Sequence, residues 1–499
     1  MRALFLLPPA ALNTRPLPVD RVYGCNWGFD YKPAIHFCAV ATYAQQVLGW
    51  SVRLLDAPAE GLDWAAVSAE ASRADVVLFW CTYLSAWGDL RAARLLQAEN
   101  PHQRFVFMGS AATWRPEELA LGPHSHCLLG EPEGALHDLA AAWAAGRPAH
   151  DLPGVAAFVD GSLRRGPPRP LLDVTTLPMP DRGLFRATYR ANRFDHAAIT
   201  TLAVSRGCGF RCTFCTTNAM DQCIDLEFKR GHAPSDRPPL RKRTPAQVIA
   251  EFEDIAARGI RGVEIADNIF TWGRSRTMEI CAAIAPLKLE WICLARANML
   301  HDQDLIAAMG AAGCKLIYMG SESFDDGLLT DMVKEIKVRD IERAVATCRA
   351  AGVEPEVSVL IGASPKETWG TLFRSWRMSR QLGTRFVHFS VALPAPSTQM
   401  YDDAIANGWF DEGDFRPADN QREVIVNLPH LSKTELRLAL KLAYAAQYLA
   451  PKGVLAQARR VHTLGDLRHK ARAASTLLRF LAEPSPPAST IPPGRVTPR

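Results

Sequence analysis

The feature that most constrains the fold and chemistry of this chain is a short cysteine loop. Cys208, Cys212 and Cys215 follow one another at the spacing C-x3-C-x2-C, directly after the apolar run 199–204. Three thiolates on one loop can bind three irons of a cubane iron–sulfur cluster, whereas ordinary four-iron electron carriers take four cysteines. The loop therefore leaves one iron open, and an open iron is where a substrate or cofactor binds.

Other uses of cysteine fit the sequence less well. The 499 residues contain 12 cysteines and show no secretory leader, which disfavours a disulfide framework. A structural zinc site takes four nitrogen or sulfur ligands, and Cys223 begins no second cluster that could supply them. Most free cysteines are small buried hydrophobic residues. We expect this role for the later cysteines, with Cys223 and Cys293 as the two that could face a cavity.

The loop resembles that of the radical S-adenosylmethionine (radical SAM) superfamily, both in its three cysteines and in the aromatic Phe214 before the last of them. The resemblance implies a [4Fe–4S] cluster on Cys208, Cys212 and Cys215, whose open iron chelates the methionyl group of SAM. An electron from a flavodoxin- or ferredoxin-type donor then cleaves SAM to a 5′-deoxyadenosyl radical. The resemblance also places Phe214 against the adenine.

Downstream of the loop, short apolar strands alternate with amphipathic helices. Strands are predicted at 262–266, 289–294, 315–319, 356–361 and 386–391. Helices are predicted at 245–258, 301–312 and 337–351. A β/α barrel produces this alternation and carries its chemistry at the carboxyl ends of the strands. We predict a partial (β/α)6 barrel over residues 196–425.

Polar residues at the strand ends resemble the SAM-binding positions of the family. Asp267 and Asn268 stand where the family has a glycine–glycine–glutamate turn that holds the SAM amino group, which is a departure in residue type. Arg296 resembles an arginine whose planar fork pairs with the SAM carboxylate. The resemblance assigns the ribose hydroxyls and the adenine to two later strand ends, Glu322 with Ser323 and Ile361 with Gly362. The alternative at each position is an ordinary strand-end polar group or turn glycine.

The first 150 residues predict a separate α/β domain. Apolar strands are expected at 2–7, 51–55, 76–80, 105–108 and 127–129. Helices are expected between them at 37–48, 63–72, 87–98 and 134–145. This alternation is typical of a doubly wound, Rossmann-like parallel sheet, which binds ligands beyond the carboxyl ends of its strands. A G-x-G-x-x-G motif is absent, which disfavours a nicotinamide dinucleotide.

This domain is similar to the cobalamin-binding domain that precedes the barrel in one large radical SAM subgroup. The similarity rests on Pro8-Pro9, Gly109-Ser110 and the stretch 129–133. It implies cobalamin binding by residues of the strand-end loops: Thr82, Tyr83, Ser85, Gly109, Ser110 and Gly130. The D-x-H-x-x-G signature that supplies a histidine to cobalt in some cobalamin enzymes is absent. A retained scaffold that holds no corrinoid is therefore the alternative.

Three further regions complete the predicted organisation: a linker over 151–195, a helical region over 426–482 and a disordered tail over 483–499. The linker is rich in proline and predicts a hairpin around Asp160-Gly161. A capping box beginning at Ser432 opens the helical region. Its segment 452–481 is strongly basic, which is typical of a helix on an anionic membrane or of a solvated helical face. The tail is rich in Pro, Ser and Thr.

The remaining sequence features limit the function classes. A net charge of +5 and the lack of a basic–aromatic groove motif give no case for nucleic acid. No apolar run reaches the ~20 residues that span a bilayer. Because an iron–sulfur cluster needs reduced thiols, we expect a cytoplasmic enzyme, with a small-molecule substrate such as a lipid or a secondary metabolite. The leading hypothesis is cobalamin-dependent radical SAM methylation of an unactivated carbon or of phosphorus. The alternatives are a radical SAM oxidative cyclase or ring-rearranging enzyme, and a non-catalytic corrinoid or iron–sulfur carrier.

Overall fold

The computed structural model describes residues 1–13, 17–24, 31–195, 197–215, 218–233, 235–410, 423–449, 471, 474, 475 and 477–482. Most of the predicted basic segment 452–481 and the whole predicted tail lie outside these residues. The chain divides into two compact units. The first unit comprises Met1–Arg211, Cys215–Tyr318 and Thr347–Glu354, and the second comprises Cys212–Phe214, Met319–Ala346 and Pro355–Arg499. None of the helices described is long and apolar enough to cross a bilayer.

The strands follow in chain order. They are β1 (Arg2–Leu7), β2 (Ser51–Asp56), β3 (Val76–Trp80), β4 (Arg104–Met108), β5 (Ser125–Leu128), β6 (Val155–Val159), β7 (Ser162–Arg165), β8 (Ile199–Leu202), β9 (Ser205–Arg206), β10 (Arg241–Lys242), β11 (Gly262–Ile265), β12 (Glu290–Ala295), β13 (Cys314–Glu322), β14 (Glu354–Ile361) and β15 (Val387–Val391).

The α-helices alternate with these strands. They are α1 (Ile35–Gln46), α2 (Ala57–Glu60), α3 (Trp64–Ala71), α4 (Ala86–Glu99), α5 (Ser110–Trp114), α6 (Pro116–Leu119), α7 (Pro132–Ala144), α8 (Ala219–Lys229), α9 (Pro245–Ala257), α10 (Arg274–Ile284), α11 (Gln303–Ala311), α12 (Asp326–Asp331), α13 (Val338–Ala350), α14 (Trp369–Leu382), α15 (Gln399–Ala406) and α16 (Lys433–Tyr448).

The first sheet confirms the predicted doubly wound domain. Its strand order is β2-β1-β3-β4-β5-β6-β7, and the five predicted strands β1–β5 pair in parallel. Both faces are buried: Phe37 of α1 and Leu136 of α7 belong to the core on one face, and Leu96 of α4 belongs to the core on the other. This double cover explains why β3 is buried along its whole length. The order 2-1-3-4-5 reverses between β1 and β3, and such sheets bind ligands at that point.

The predicted hairpin forms, but it belongs to the sheet and is more than a linker element. Asp160 and Gly161 both have positive φ, at 49° and 80°, as a two-residue type I′ turn requires. The strands on either side, β6 and β7, add to β5 as an antiparallel extension of the parallel sheet. An edge strand leaves a row of unpaired backbone groups, and the hairpin covers that row on β5.

The second sheet has the strand order expected of a partial barrel. Its six strands follow in the order β15-β14-β13-β12-β11-β8, and the pairs β8–β11, β11–β12 and β14–β15 are parallel. The first unit contains β8, β11, β12 and the start of β13, and the second contains the end of β13 with β15 and most of β14. Because this division joins the first sheet to part of the second, the domain boundaries at 150 and 195 stay predictions.

Local signals set several helix ends. Thr244 caps α9 in a capping box with Gln247, and Gly259 follows the helix at φ 73°. Ser432 and Glu435 form the predicted capping box at the start of α16. Eight of the described helices were not predicted: α2, α5, α6, α8, α10, α12, α14 and α15. Of these, α8 matters most for function, because it begins four residues after Cys215, the last cysteine of the loop.

Candidate active site

The cysteine loop leaves the short ladder that β9 forms with β10. Cys212 is buried, and Cys208 and Cys215 are half-buried. Across the described residues, no group of three or more His, Cys, Asp or Glu side chains is arranged to hold a single metal ion. A cubane cluster places each cysteine on a different iron, so its ligands spread more widely than those of one ion. The loop chemistry fits a cluster: three thiols stand close in sequence, and two of them are partly accessible.

Asp267 binds the base of this loop. One of its carboxylate oxygens accepts a 2.7 Å hydrogen bond from the backbone N–H of Val204, and the other accepts the hydroxyl of Ser205. The side chain is buried, and this burial raises the pKa of Asp267 to about 7. The structure therefore gives Asp267 a positioning contact under the loop. The resemblance to the family assigned this position to the SAM amino group, and that assignment stays a prediction.

Asn268 belongs to a second network on the same loop. Its amide donates to Asp221 Oδ2 at 2.6 Å, and Asp221 Oδ1 accepts the backbone N–H of Gly207 at 2.8 Å. Asn218 caps α8 by accepting the N–H of Asp221. Burial raises the pKa of Asp221 to about 6. Sequence reasoning missed Asp221, although the pattern Asn-x-x-Asp is an N-terminal helix signal.

An ion-paired cluster joins the loop to the first sheet. Arg206, two residues before Cys208, pairs with Glu131 at 2.8 Å and with Glu133 at 2.5 Å. Arg241, opposite Arg206 in the β9–β10 ladder, pairs with Glu131 at 2.8 Å. Both carboxylates are buried at the start of α7, directly beyond the carboxyl end of β5. The stretch 129–133 thus links the ligand-binding edge of the first sheet to the cysteine loop, and all these residues lie in the first unit.

Arg296 lies over the loop in an aromatic stack. Its guanidinium carbon is 3.5 Å from the ring centroid of Phe210, which stands between the first two cysteines. The other neighbour of Phe210 is Trp272, with the ring centroids 5.2 Å apart. A guanidinium over an aromatic face is stabilised by the ring quadrupole. Arg296 is therefore held beside the loop, as a role in SAM binding requires, whereas sequence reasoning did not single out Trp272.

In the second unit, Glu322 forms an ion pair that the sequence did not reveal. Its carboxylate lies 2.8 Å from the ammonium of Lys334, and the hydroxyl of Ser358 lies 3.5 Å from its other oxygen. The same ammonium is 5.8 Å from the ring centroid of Phe214. The structure thus brings together Phe214 and Glu322, the two residues expected at adenine and ribose, and adds Lys334 to them.

The backbone that presents Lys334 is strained. Its two neighbours, Val333 and Glu335, have φ of 50° and 55°, a region that residues with a Cβ rarely adopt. Met332, at the start of this turn, accepts a 3.1 Å hydrogen bond from the N–H of Thr213. Strain of this kind persists where the surroundings impose it, and it clusters at functional sites. No spacing rule in the sequence points to Lys334.

The other predicted SAM residues differ in their surroundings. Ser323 is buried, with its hydroxyl 3.4 Å from that of Ser375 on α14. Ile361 is buried, and Gly362 follows it at φ 78°, which favours glycine. The N–H of Gly362 donates to Glu367, a residue that sequence reasoning missed. Burial raises the pKa of Glu367 to about 8.

Several predicted loop residues of the first sheet bond within the protein. Thr82 N–H donates to Ser85 Oγ at 2.9 Å, and that hydroxyl donates to Asp89 at 2.9 Å. Tyr83 packs edge-on against Trp114, with centroids 5.7 Å apart. Gly109 has φ 100°, and a Cβ there would meet a backbone oxygen at 2.7 Å. At these positions, contacts within the protein explain the residue type.

Gly130 and two buried polar side chains also lie near this edge of the first sheet. Gly130 lies against α8, where a Cβ would come within 2.8 Å of Glu227. In the described part of the chain, the Ser110 hydroxyl and the Nε2 atom of His36 are buried and have no hydrogen-bond partner. Unsatisfied buried polar groups are costly and call for an explanation. A bound cofactor with hydrogen-bonding side groups, as cobalamin has, would supply the missing partners.

Comparison with known proteins agrees with this geometry. Residues 202–374 match the model of the Radical SAM superfamily. An uncharacterized methyltransferase of Pyrococcus horikoshii is 25% identical over 464 residues, which cover 91% of this chain and 93% of the relative.

Two solved structures share the fold. TsrM of Kitasatospora setae, a radical SAM methyltransferase solved with tryptophan and a SAM analogue, aligns with TM-score 0.63 and 18% identity over 82% of this chain and 76% of its own. OxsB, a cobalamin-dependent radical SAM enzyme solved with cobalamin and SAM, aligns with TM-score 0.71 and 12% identity over 96% of this chain and 71% of its own.

The superfamily works with a [4Fe–4S] cluster and SAM, and the half-buried cysteine loop fits both. The first sheet, the partial barrel and their order along the chain match the fold of the two cobalamin-containing neighbours. The chain therefore contains a radical SAM superfamily domain in residues 202–374 and has the fold seen in TsrM and OxsB.

Proposed function

We propose that this enzyme is a cobalamin-dependent methyltransferase that methylates an unactivated carbon or a phosphorus atom of a small-molecule substrate. The observation that carries the proposal is the buried ion-paired cluster of Arg206 and Arg241 with Glu131 and Glu133. It joins the carboxyl edge of the first sheet to the cysteine loop. Methyl transfer needs two cofactors near each other. This cluster connects the sheet edge that we assign to cobalamin with the loop that we assign to the iron–sulfur cluster.

In this proposal Cys208, Cys212 and Cys215 hold the [4Fe–4S] cluster, which, when bound, supplies an electron for cleavage of SAM. Asp267 and Asn268 position the loop through Ser205 and Asp221, and the SAM amino group is assigned to the same turn. A flavodoxin- or ferredoxin-type protein of the cytoplasm serves as the electron donor.

The Arg296–Phe210 stack and the Glu322–Lys334 ion pair supply the remaining SAM contacts. Arg296, held over Phe210, binds the SAM carboxylate through its planar fork. Phe214 and Glu322 bind the adenine and the ribose. Lys334 holds the Glu322 carboxylate in place through their ion pair at 2.8 Å. Ser323, Ile361 and Gly362 shape the adenine side, with Gly362 oriented by Glu367.

The carboxyl edge of the first sheet holds cobalamin in this proposal. Ser110 and His36 provide the buried polar atoms that bind its side groups. Five more loop residues give this edge its shape: Thr82, Tyr83, Ser85, Gly109 and Gly130. Cobalamin, when bound, supplies the methyl group that the substrate receives.

The experiment that tests the proposal is anaerobic purification with cluster reconstitution, followed by ultraviolet–visible spectra, corrinoid extraction and product analysis. We expect stoichiometric corrinoid, formation of 5′-deoxyadenosine from SAM, and a product heavier than the substrate by one methylene unit. A product of unchanged or oxidised mass without bound corrinoid would favour a cyclase or rearranging enzyme. Reduced protein that yields no 5′-deoxyadenosine would favour a non-catalytic carrier.

A further inference from the structure

The stretch between the first two cysteines reaches the surface of the first unit. Gly209 and Arg211, on either side of Phe210, are exposed, and Cys208 is half-buried. The ring of Phe210 is itself half-buried, since Trp272 stacks against it. The stretch 209–211 is therefore a part of the cysteine loop that another protein can approach.

Lys242 lies beside this exposed stretch. The ring edge of Trp272 comes within 2.9 Å of the place that a Cβ on Gly209 would take. Gly273 follows Trp272 and is exposed, and the ammonium of Lys242 lies 4.0 Å from the place of a Cβ on Gly273. Lys242, which is also exposed, thus stands on the same surface as the loop.

Arg276 adds a third cation to this surface. Its Cβ is 3.8 Å from the same position on Gly273. The guanidinium donates to the backbone carbonyl of Arg243 at 3.1 Å, a neutral partner that leaves its charge uncompensated. We call Arg211, Lys242 and Arg276 the basic patch.

The charges of the basic patch are not neutralised inside the protein. Within the described part of the chain, no member of the patch forms an ion pair, whereas the neighbouring Arg274 pairs with Asp302 at 2.5 Å. Desolvation lowers the pKa of the Arg276 guanidinium, so an incoming carboxylate would stabilise its charged form. Uncompensated cations on one surface create a positive potential that attracts an acidic partner.

We infer that the basic patch is the docking surface for the electron donor, and that it selects a small electron-transfer protein that is acidic around its redox cofactor. The inference rests on the proposed function, because it concerns the partner of that reaction. The donor loses one electron and the cluster gains it, and no bond changes at the patch. Electron-transfer complexes are small, burying less than about 1,200 Å². Charge complementarity speeds the encounter of such partners and fixes their orientation, so a few cations suffice.

The test uses the reconstituted full-length enzyme in three forms: wild type, the double variant Arg211→Glu/Lys242→Glu, and the matched control Arg94→Glu/Arg147→Glu. Arg94 and Arg147 are exposed residues of the first unit outside the patch, and their reversal changes the net charge by the same amount. Iron content shows whether each form carries its cluster. If the substitution within the cysteine loop lowers the iron content, Lys242→Glu alone takes the place of the double variant.

The first measurement is calorimetric titration with a purified bacterial flavodoxin at about 0.05 M and about 0.5 M NaCl. We expect wild type and the control to bind equally at low salt, and the double variant to bind about tenfold more weakly. The difference should shrink at high salt, because salt screens exposed charges.

The second measurement is formation of 5′-deoxyadenosine with two reductants. With reduced flavodoxin, the rate should fall about tenfold in the double variant. With dithionite-reduced methyl viologen, a small molecule that needs no docking surface, the rate should be the same in all three forms.

Three results would overturn the inference: equal flavodoxin binding by wild type and the double variant, an equal loss in the control, or a viologen-driven loss as large as the flavodoxin-driven one. Wild type that forms no 5′-deoxyadenosine with viologen counts against the proposed function. Wild type that cleaves SAM with viologen but binds no flavodoxin counts against the docking surface alone.

Discussion

The two units contrast in how far polar side chains on the strands of the second sheet are buried. In the first unit other parts of the chain cover these side chains: Lys32 places its ammonium 2.6 Å from the Glu264 carboxylate of β11, and the neighbouring Thr201 donates to the carbonyl of Pro33 at 2.8 Å. Phe194 packs where a Cβ on Gly262 would stand. In the second unit, Ser358 and His388 remain half-buried.

This difference in burial distinguishes polar groups that stabilise the fold from polar groups that stay partly exposed. Lys32 and Glu264 are both buried, and their side chains are 7% and 5% exposed. A buried ion pair is stable only while both charges are present, so this pair is a structural element of the first unit. In the second unit the Ser358 hydroxyl and the His388 imidazole are only half-buried.

The largest effect is expected at the cysteine loop, whose residues are divided between the units. Replacing Cys208, Cys212 or Cys215 by alanine removes one of three cluster thiolates, and we expect 5′-deoxyadenosine formation to fall below detection. Mass spectrometry of the reduced, reconstituted protein with SAM measures this. Cys223→Ala is the control, since that thiol is buried in α8 and should leave SAM cleavage intact. Full activity in any of the three loop variants would refute the cluster assignment.

The contrast between the units predicts a large loss of stability for Lys32→Met. The substitution leaves the Glu264 carboxylate buried without its cation, and breaking such a pair costs about 3–5 kcal/mol. Urea unfolding followed by circular dichroism measures the change. Lys315→Met is the matched control, because its pair with Glu290 is exposed and is worth about 1 kcal/mol or less.

The same urea unfolding experiment compares the stability loss of a variant in the second unit, Ser358→Ala, with that of Lys32→Met in the first. Ser358→Ala removes a half-buried hydroxyl whose hydrogen bonds to Met319 and Glu322 are 3.4 and 3.5 Å long, so its stability loss should be about 1 kcal/mol or less. A loss for Ser358→Ala as large as that for Lys32→Met would show that the partly exposed group of the second unit is as structural as the buried pair of the first, and the contrast would fail.

A further substitution tests whether the Lys334–Glu322 ion pair of the second unit contributes to SAM binding. In Lys334→Met we expect the affinity for S-adenosylhomocysteine to fall about tenfold, which corresponds to ~1.4 kcal/mol. Calorimetric titration of reconstituted protein measures it. Lys337→Met is the control, as that exposed lysine lies on the same segment. Adding Glu322→Gln to Lys334→Met should restore stability without restoring affinity, and recovery of both would make the pair purely structural.

The last expected effect is a pH dependence of stability due to Glu367. Burial raises the pKa of Glu367 from 4.5 to about 8. Between these two pH values the folded state therefore keeps a proton on Glu367 that the unfolded state has released. The stabilisation it provides is complete below pH 4.5, declines as the pH rises, and is lost above pH 8. Unfolding free energies of wild type and Glu367→Gln at several pH values between these limits test it. We expect wild type to lose stability relative to the variant as pH rises, and parallel curves would contradict the assignment.

Local patterns predicted much of the fold. Apolar strands, capping residues and turn glycines act over a few residues, so β1 to β5, α9, α16 and the turn at Asp160-Gly161 were predictable. The attachment of β6 and β7 to β5 was not, because pairing depends on which strand edge is vacant in the folded sheet. The helix α8 was missed although its Asn218 cap is a local signal.

The candidate site was predictable in part for the same reason. The spacing of Cys208, Cys212 and Cys215 is local, and the sequence shows it directly. Lys334 is 12 residues from Glu322 and meets it only through a turn with two left-handed residues. Glu131 is 75 residues from Arg206, and no spacing rule joins them.

The sequence by itself determined the cysteine loop, the alternation of strands and helices, and hence the class of enzyme, because these depend on neighbouring residues. Only the tertiary structure decided which charges are neutralised inside the protein and which polar groups stay accessible. That outcome depends on contacts between distant segments, such as Lys32 with Glu264, and on the burial that those contacts create. Burial matters in this way because it sets the cost of leaving a polar group without a partner.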